Sequence, residues 1–347
     1  MPSSPTHRPA TRSDVARAAG VSTAVVSYVV NDGPRPVAEQ TRARVRRVIA
    51  ELDYRPNPSA RALKTGRTGI TGVIVPDVAN PFFAELVGSL QSVAQRHGLV
   101  TVVGSHSENP VHEAQLVTEL IDRGVDGFVM ATARLSTAAQ WREEIARPIV
   151  LVDCADPVPG FITVGPAARD GARRAVAHLL EHGHHQVALA HGGHPDAVAQ
   201  HRRWGWQDAL RSMGLPDGPV EYGPYTRAGG LSIGRRLLQR RPLPTAVFAC
   251  CDLQAFGLLR AFGEAGVRVP DDIAMVSFDG TAHTAFSWPT VTTVRQPVEA
   301  MGEAAVAAVL EPKSQSPTPH RLLPMDLMVR RSCGCRPAVG SPTEDVR

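Results

Sequence analysis

Between Thr11 and Asn31 the chain spells two short helices and the tight turn that joins them, an arrangement few folds accommodate. Thr11-Arg-Ser-Asp14 fits a capping box, the threonine accepting from backbone N–H groups and the aspartate reaching back, ahead of the apolar stretch Val15 to Ala19. Gly20 tolerates the left-handed conformation of a sharp stop, and Ser22 can cap a second helix whose Val25, Val26, Val29 and Val30 face inward. Its early side chains, Thr23, Ala24, Ser27 and Tyr28, then occupy the outer face, where such a helix meets base edges in a major groove. After Pro34 and Pro36 a third helix is expected, with Val45, Val48, Ile49 and Leu52 as a buried stripe and Arg42, Arg44, Arg46 and Arg47 opposite. A plain three-helix bundle with a solvated basic face is the competing reading.

Charge favours the first reading. Residues 1–67 hold 12 Lys and Arg against 5 Asp and Glu, a net +7, while the rest hold 25 against 28, a net −3. A basic head on a mildly acidic body suits a protein that neutralises phosphates with one end.

Asp14-Val-Ala-Arg-Ala-Ala-Gly-Val-Ser22, Val26-Ser-Tyr-Val-Val-Asn31, Thr41-Arg42, Tyr54-Arg-Pro-Asn57 and Ala60-Arg-Ala-Leu63 resemble, in order and spacing, the DNA-binding head of the lactose-repressor (LacI/GalR) family. The resemblance continues through Val73–Asp77, Asn80-Pro-Phe-Phe83, Gly124–Phe128, His178–His184, Pro244–Phe248 and Val291–Pro297, to about Ser332. It implies that the segment from Asn57 to Lys64 is a hinge helix that forms on the operator, pairs with its dimer mate and pushes Leu63 between bases. Pro58 suits the first turn of such a helix, and Ala60 is small enough for a narrow groove. So short a helix is marginal alone in water. Where relatives carry an arginine after the Val-Ser step, this chain has Tyr28, which cannot copy a bidentate contact to guanine. Ser22, Ser27 and Asn31 are expected to hold phosphates, and Asn57 and Ala60 join Leu63 as DNA contacts.

From Thr71 onward short apolar runs alternate with amphipathic stretches: Gly72–Val75 then Pro81–Arg96, Val100–Gly104 then Glu113–Arg123, Gly127–Ala131 then Ala138–Ala146, and Ile149–Asp153. A second set includes Gly171–Glu181, Val187–Ala190, Ala246–Ala249 and Ile273–Phe278. Alternation of this kind predicts parallel sheets covered by helices on both faces. The resemblance makes these two doubly wound subdomains of a periplasmic-binding-protein-like fold, crossed three times by the chain, with an effector cleft between them. Strand carboxyl ends give the same location without the family. The expected divisions are a disordered arm at 1–10, a helix-turn-helix domain at 11–56, a hinge and linker at 57–68, an effector and dimerisation domain at 69–332, and a flexible tail at 333–347. Within the body, 69–165 and 294–325 form one subdomain and 166–293 and 326–332 the other.

The resemblance places Asn80, Phe82, Asp153, Tyr225 and Asp279 at or beside the pocket. An aromatic can stack on a sugar or base ring, and aspartates can hold hydroxyls or amines. Here the chain departs from its relatives. Gln200 stands where many carry a clamping arginine, Arg202 survives two residues on, Cys251-Asp252 replaces Asn-Asp, and Gly280 takes an acidic position. Lost hydrogen bonds, at about 1 kcal/mol each, predict an effector that is not a simple sugar bound in the usual way. Loss of effector control is the alternative.

Seven of the 13 histidines fall between His178 and His201. His178 and His182 have the spacing of metal ligands on one helix face, yet Gly183-His184 matches a family turn and no thiolate or carboxylate is obviously placed to complete a site, so no metal or other cofactor is expected. Cys154, Cys250 and Cys251 read as buried thiols, and Cys333-Gly-Cys335 lacks the second pair a zinc site wants. Trp204 and Trp206 read as core, and Arg235, Arg236, Arg240 and Arg241 as a solvated face. Five cysteines, a short polar start and no bilayer-length apolar run fit a cytoplasmic protein. No activated nucleophile or phosphate-gripping glycine loop suggests an enzyme. A solute-binding protein would explain the body but has no use for residues 11–64. The expectation is a homodimeric transcription regulator, a repressor, on a palindromic DNA operator, under control of a small molecule.

Overall fold

The computed structural model describes residues 8–31, 33, 35–56, 62–63, 65–107, 109–131, 141, 145–193, 197–311 and 320–335. The chain divides into two compact units, Met1–Thr68 and Gly69–Arg347.

In the first unit three helices form: α1 (Arg12–Ala19), α2 (Thr23–Val30) and α3 (Glu39–Glu51). Both halves of the capping box are made. Asp14 N–H donates to Thr11 Oγ1 at 3.3 Å, and Thr11 N–H donates to Asp14 Oδ2 at 3.0 Å. Gly20 closes α1 at φ 62°, and Ser22 Oγ accepts from Val25 N–H at 3.3 Å to start α2. Only three residues, Gly20, Val21 and Ser22, lie between the helices, because a left-handed stop and an oxygen cap need little more. The core is Val15, Ala16, Ala19, Val26, Val29, Val45, Val48 and Tyr54. Val25 and Val30 are half-buried flanks. Leu52, expected in the buried stripe, is instead exposed. It follows the last helical turn, and Asp53 at φ 42° reverses the chain so that Tyr54 N–H donates to Ile49 O at 3.0 Å. Tyr54 takes the place intended for Leu52.

The second unit holds two six-stranded sheets. The first, in order β11-β5-β4-β3-β1-β2, is entirely parallel. Its strands are β1 (Ile70–Val75), β2 (Val100–Ser105), β3 (Gly127–Met130), β4 (Ile149–Val152), β5 (Ile162–Pro166) and β11 (His320–Leu323). The second runs β12-β10-β9-β8-β6-β7, from β6 (Val187–Gly192), β7 (Val220–Gly223), β8 (Ala246–Ala249), β9 (Ala274–Asp279), β10 (Thr292–Arg295) and β12 (Asp326–Met328). Only β12 is antiparallel. The helices are α4 (Pro81–Arg96), α5 (Pro110–Asp122), α6 (Ala168–Glu181), α7 (Ala197–Ser212), α8 (Arg227–Leu237), α9 (Asp252–Glu264) and α10 (Val298–Leu310).

Alternate strand residues enter separate cores. Val73, Val75, Val129, Val150 and Val152 pack on one face of the first sheet, and Ile74, Phe128, Met130 and Leu151 on the other. Val187, Leu189, Phe248, Val276 and Phe278 are divided in the same way from Ala188, Ala190, Val247 and Met275 in the second. Strands buried on both faces read as continuous apolar runs, which is why the sequence showed no period of two. The three expected crossings are present, after β5, after β10 and after β11. Strand β10 runs to Arg295 in the second lobe, so the second crossing falls just beyond the expected boundary at 293/294. Of the expected helix at 138–146, Trp141, Ile145 and Ala146 are among the described residues, Trp141 helical and both Trp141 and Ile145 buried in the core with Ile74 and Phe128, while the arm at 1–7 and His194 lie outside the described residues. Ala10, placed in the arm, packs against the first core.

Two expectations change. Trp206 is core, fully buried with its indole N–H donating to Val187 O at 3.1 Å, but Trp204 is exposed. The arginines are not simply solvated, since Arg236 and Arg240 both grip the largely buried Glu221, at 2.7 and 2.6 Å.

Candidate functional site

The outward surface of α2 begins at its amino end. Ser22, Thr23 and Ala24 are exposed, with Ser27 and Tyr28 half-buried beside them. The Tyr28 ring lies over Gly33, where a β-carbon would come within 2.7 Å of Tyr28 Cδ1. The tyrosine is therefore packed against the chain just after α2. Asn31, expected at a phosphate, is exposed at the end of α2, where its amide nitrogen donates to Ser27 O at 3.0 Å and to Ser27 Oγ at 3.3 Å. Exposed Arg12, Arg17, Arg44, Arg46 and Arg47 supply positive charge around the three helices. Leu63 is helical and 88% exposed, a large apolar side chain given to solvent. Asn57 and Ala60, with Pro58, Arg61 and Lys64, lie outside the described residues.

In the second unit the expected ligand residues follow strand carboxyl ends, the position fixed by parallel topology. Asn80 follows β1, Asp153 follows β4, Tyr225 follows β7, Cys251 follows β8, and Asp279 ends β9. Asp153 and Asp279 adopt positive φ, 57° and 109°. The two lobes meet here. Ala282 N–H donates to Glu85 Oε1 at 2.9 Å, and His201 Nε2 lies 3.0 Å from Asp156 Oδ1.

Arg202 is the centre of the arrangement. Its buried guanidinium lies 4.1 Å from the Phe278 ring centroid and 5.9 Å from that of Tyr225, donates to Cys250 O, and stands 3.6 Å from Asp279 Oδ1. Asp153 is close enough to act on it electrostatically. Gln296 Nε2 donates to Asp279 Oδ1 at 2.9 Å. Burial pushes Asp279 up to about 8 against the pull of Arg202, and the Asp252 and Asp153 carboxylates add to the rise. The negative charge facing the arginine is thus weakened at neutral pH. Arg202 Nε, Gln254 Oε1 and Gln296 Oε1 are buried without a hydrogen-bond partner among the described residues. An unmet buried polar atom costs about 1–3 kcal/mol, so water or a ligand belongs against them.

Other expected residues do different work. Asp252 is saturated: Ser277 Oγ, Thr281 N–H, Thr281 Oγ1 and Thr293 Oγ1 all donate to it, at 2.5, 2.7, 2.9 and 3.0 Å. No lone pair is left for an effector. Cys251 caps α9 by accepting from Gln254 N–H at 3.4 Å, and burial pushes its thiol well up. Phe82 is buried in the first lobe's core beside Phe83, and Asn80 Oδ1 caps α4 at Phe82 N–H, 3.1 Å. Gln200 is half-buried on α7.

Two family descriptions match the chain: "Bacterial regulatory proteins, lacI family" over residues 11–57 and "Periplasmic binding protein-like domain" over 176–333. DegA of Bacillus subtilis, an HTH-type transcriptional regulator, is 33% identical over 92% of this chain and 96% of its own length. The E. coli K12 repressor CytR is 31% identical over 94% and 97%. The chain belongs to the lacI family. Among solved structures, the Lac repressor dimer bound to operator and the anti-inducer ONPF superposes with a TM-score of 0.85, at 29% identity, over 94% of this chain and 99% of that one. The regulator CelR in complex with cellobiose gives 0.71 at 29% identity, over 93% and 99%. No helix among the described residues is long and apolar enough to cross a membrane.

Gln254 and Gln296 escaped the lacI-family reading of the sequence. Gln254 donates to the carbonyls of His191, Gly223 and Pro224 at the cleft ends of β6 and β7, a role visible only once those strands are adjacent. Gln296 stood inside the landmark Val291–Pro297 and could have been found there. The tail expectation also changes, because Cys333 is fully buried and the second lobe's core extends to Cys335.

Proposed function

We propose that this lacI-family member represses transcription as a homodimer on a twofold-symmetric operator, with a small polar molecule in the inter-lobe cleft setting its affinity. Support for the DNA half comes chiefly from α2, whose exposed Ser22, Thr23 and Ala24 lead a helix of the geometry that enters major grooves. Ser27 and Tyr28 flank them, and Asn57, Ala60 and Leu63 supply the minor-groove element. Twofold symmetry in the protein demands an inverted repeat in the DNA.

The effector half rests on Arg202 with its unmet Nε, on Tyr225, Asp153 and Asp279, and on the carbonyls of Gln254 and Gln296. Such a set suits a ligand with both acceptors and donors, and the absence of a second clamping cation at Gln200 argues against a plain polyol. A regulator of the same fold without an effector remains the second reading, favoured by the internal use of Asp252 and Cys251.

Nuclease footprinting on DNA upstream of the protein's own gene, with and without candidate metabolites, tests both halves. A symmetric protected site that responds to one metabolite is expected. A monomeric protein indifferent to nucleotide sequence in the presence of competitor DNA would overturn the reading.

A further inference from the structure

His178 and His182 stand one turn apart at the carboxyl end of α6, and the stretch from Arg330 to Cys335 folds back against them. His178 Nε2 lies 3.2 Å from Cys333 Sγ and 3.6 Å from Cys335 Sγ, and His182 Nε2 lies 3.1 Å from Cys335 Sγ. All four donor atoms fall within 4.8 Å of one another. The returning segment is fixed before it arrives: Thr292 N–H donates to Ser332 Oγ at 2.8 Å, and Ser332 Oγ donates to Met275 O at 2.7 Å. Gly334, at φ 94°, then turns the chain between the two cysteines.

We infer that His178, His182, Cys333 and Cys335 bind one zinc ion as a closed Cys2His2 site that clips the carboxyl-terminal segment to α6. Zinc bonds of about 2.3 Å to sulfur and about 2.0–2.1 Å to nitrogen, at tetrahedral angles, put sulfur and nitrogen roughly 3.5 Å apart. The three observed nitrogen–sulfur separations bracket that value, and the remaining pairs, within 4.8 Å, close onto an ion with side-chain adjustment of about 1 Å. Thiolate and imidazole together select zinc over the oxygen-seeking magnesium and calcium. Two thiols deprotonating on binding would neutralise the ion, and Thr292 Oγ1, 3.1 Å from Cys333 Sγ, is placed to donate to that thiolate. Separate thiol–imidazole hydrogen bonds would account for each contact singly. They give no reason for Cys335 to lie within reach of both rings.

Four protein ligands leave no open coordination position, so the site is structural and not hydrolytic. Helix α6 opens after the first crossing and shares a core with α7, the helix that carries Arg202, so the clip braces the second lobe behind the cleft. The sequence kept these groups apart because 150 residues separate the pairs, and C-x-C has no second pair nearby.

The test uses the full chain, purified under reducing conditions without a metal-affinity tag. Elemental analysis is expected to return about one zinc per chain, and cobalt(II) replacing it should give the intense visible bands and sulfur charge-transfer absorption of a tetrahedral thiolate site. The double variant Cys333→Ser/Cys335→Ser should lose the zinc, whereas Cys154→Ser should keep it. The wild-type cobalt spectrum stands even if the double variant does not fold. No zinc after equilibration with the ion, unchanged zinc in the double variant, or a Cys333–Cys335 disulfide in the reduced preparation would each overturn the proposal.

Discussion

Leu63 is a leucine that the isolated chain cannot bury, and so large an exposed apolar group asks for a use. If it wedges between bases, Leu63→Ala weakens operator binding by about 2–3 kcal/mol while leaving affinity for random duplex nearly unchanged. Gel-shift titrations on both DNAs measure this, and equal losses on the two would remove the wedge. Asp279 carries a pH signature. Its carboxyl is raised to about 8 by burial, so between roughly pH 4 and pH 8 the folded protein holds a proton that the unfolded chain has released. Stability conferred by this group is therefore complete below its unfolded value and falls as pH rises toward 8. Asp279→Asn keeps a neutral group there, and its melting temperature should gain on the wild type from about pH 5 to about pH 9. A constant difference across that range would mean that Asp279 is ionised throughout.

Elements here are set by caps and clamps. Thr11→Ala removes one side of the capping box on α1 and should cost about 1 kcal/mol, read from denaturant midpoints. Asp252 is a larger case. One carboxylate organises the start of α9, the end of β9 and β10 through four donors, and burial pushes its pKa up despite them. Asp252→Ala strands three hydroxyls and an N–H, and should destabilise the body by roughly 3–5 kcal/mol. Urea unfolding checks this. Retained stability with lost effector response would return Asp252 to the ligand. The capping box was legible because its partners lie three residues apart. The Asp252 clamp was not, since Ser277, Thr281 and Thr293 lie 25, 29 and 41 residues away.

At the scale of the molecule, charge is divided between a head at +7 and a remainder at −3. Operator affinity should fall steeply with salt, with a log–log slope of roughly −0.9 for each phosphate neutralised. Arg44→Ala and Arg46→Ala should each reduce that slope by about 1 if they touch backbone phosphates, and leave sequence preference intact. A flat salt response would disconnect the basic head from DNA.

Local rules sufficed for the head, the order of strands and helices, and the family. Capping boxes, glycine stops and apolar runs act over a few residues, and the lacI-family landmarks keep their order along the chain. The tertiary structure alone decided which polar groups are spent. Asp252, Cys251 and Phe82 looked available in sequence, yet folding commits them to a clamp, a cap and core. It also brought His178 and His182 to Cys333 and Cys335, because buried polar atoms find partners through space, and separation in sequence carries no record of that distance.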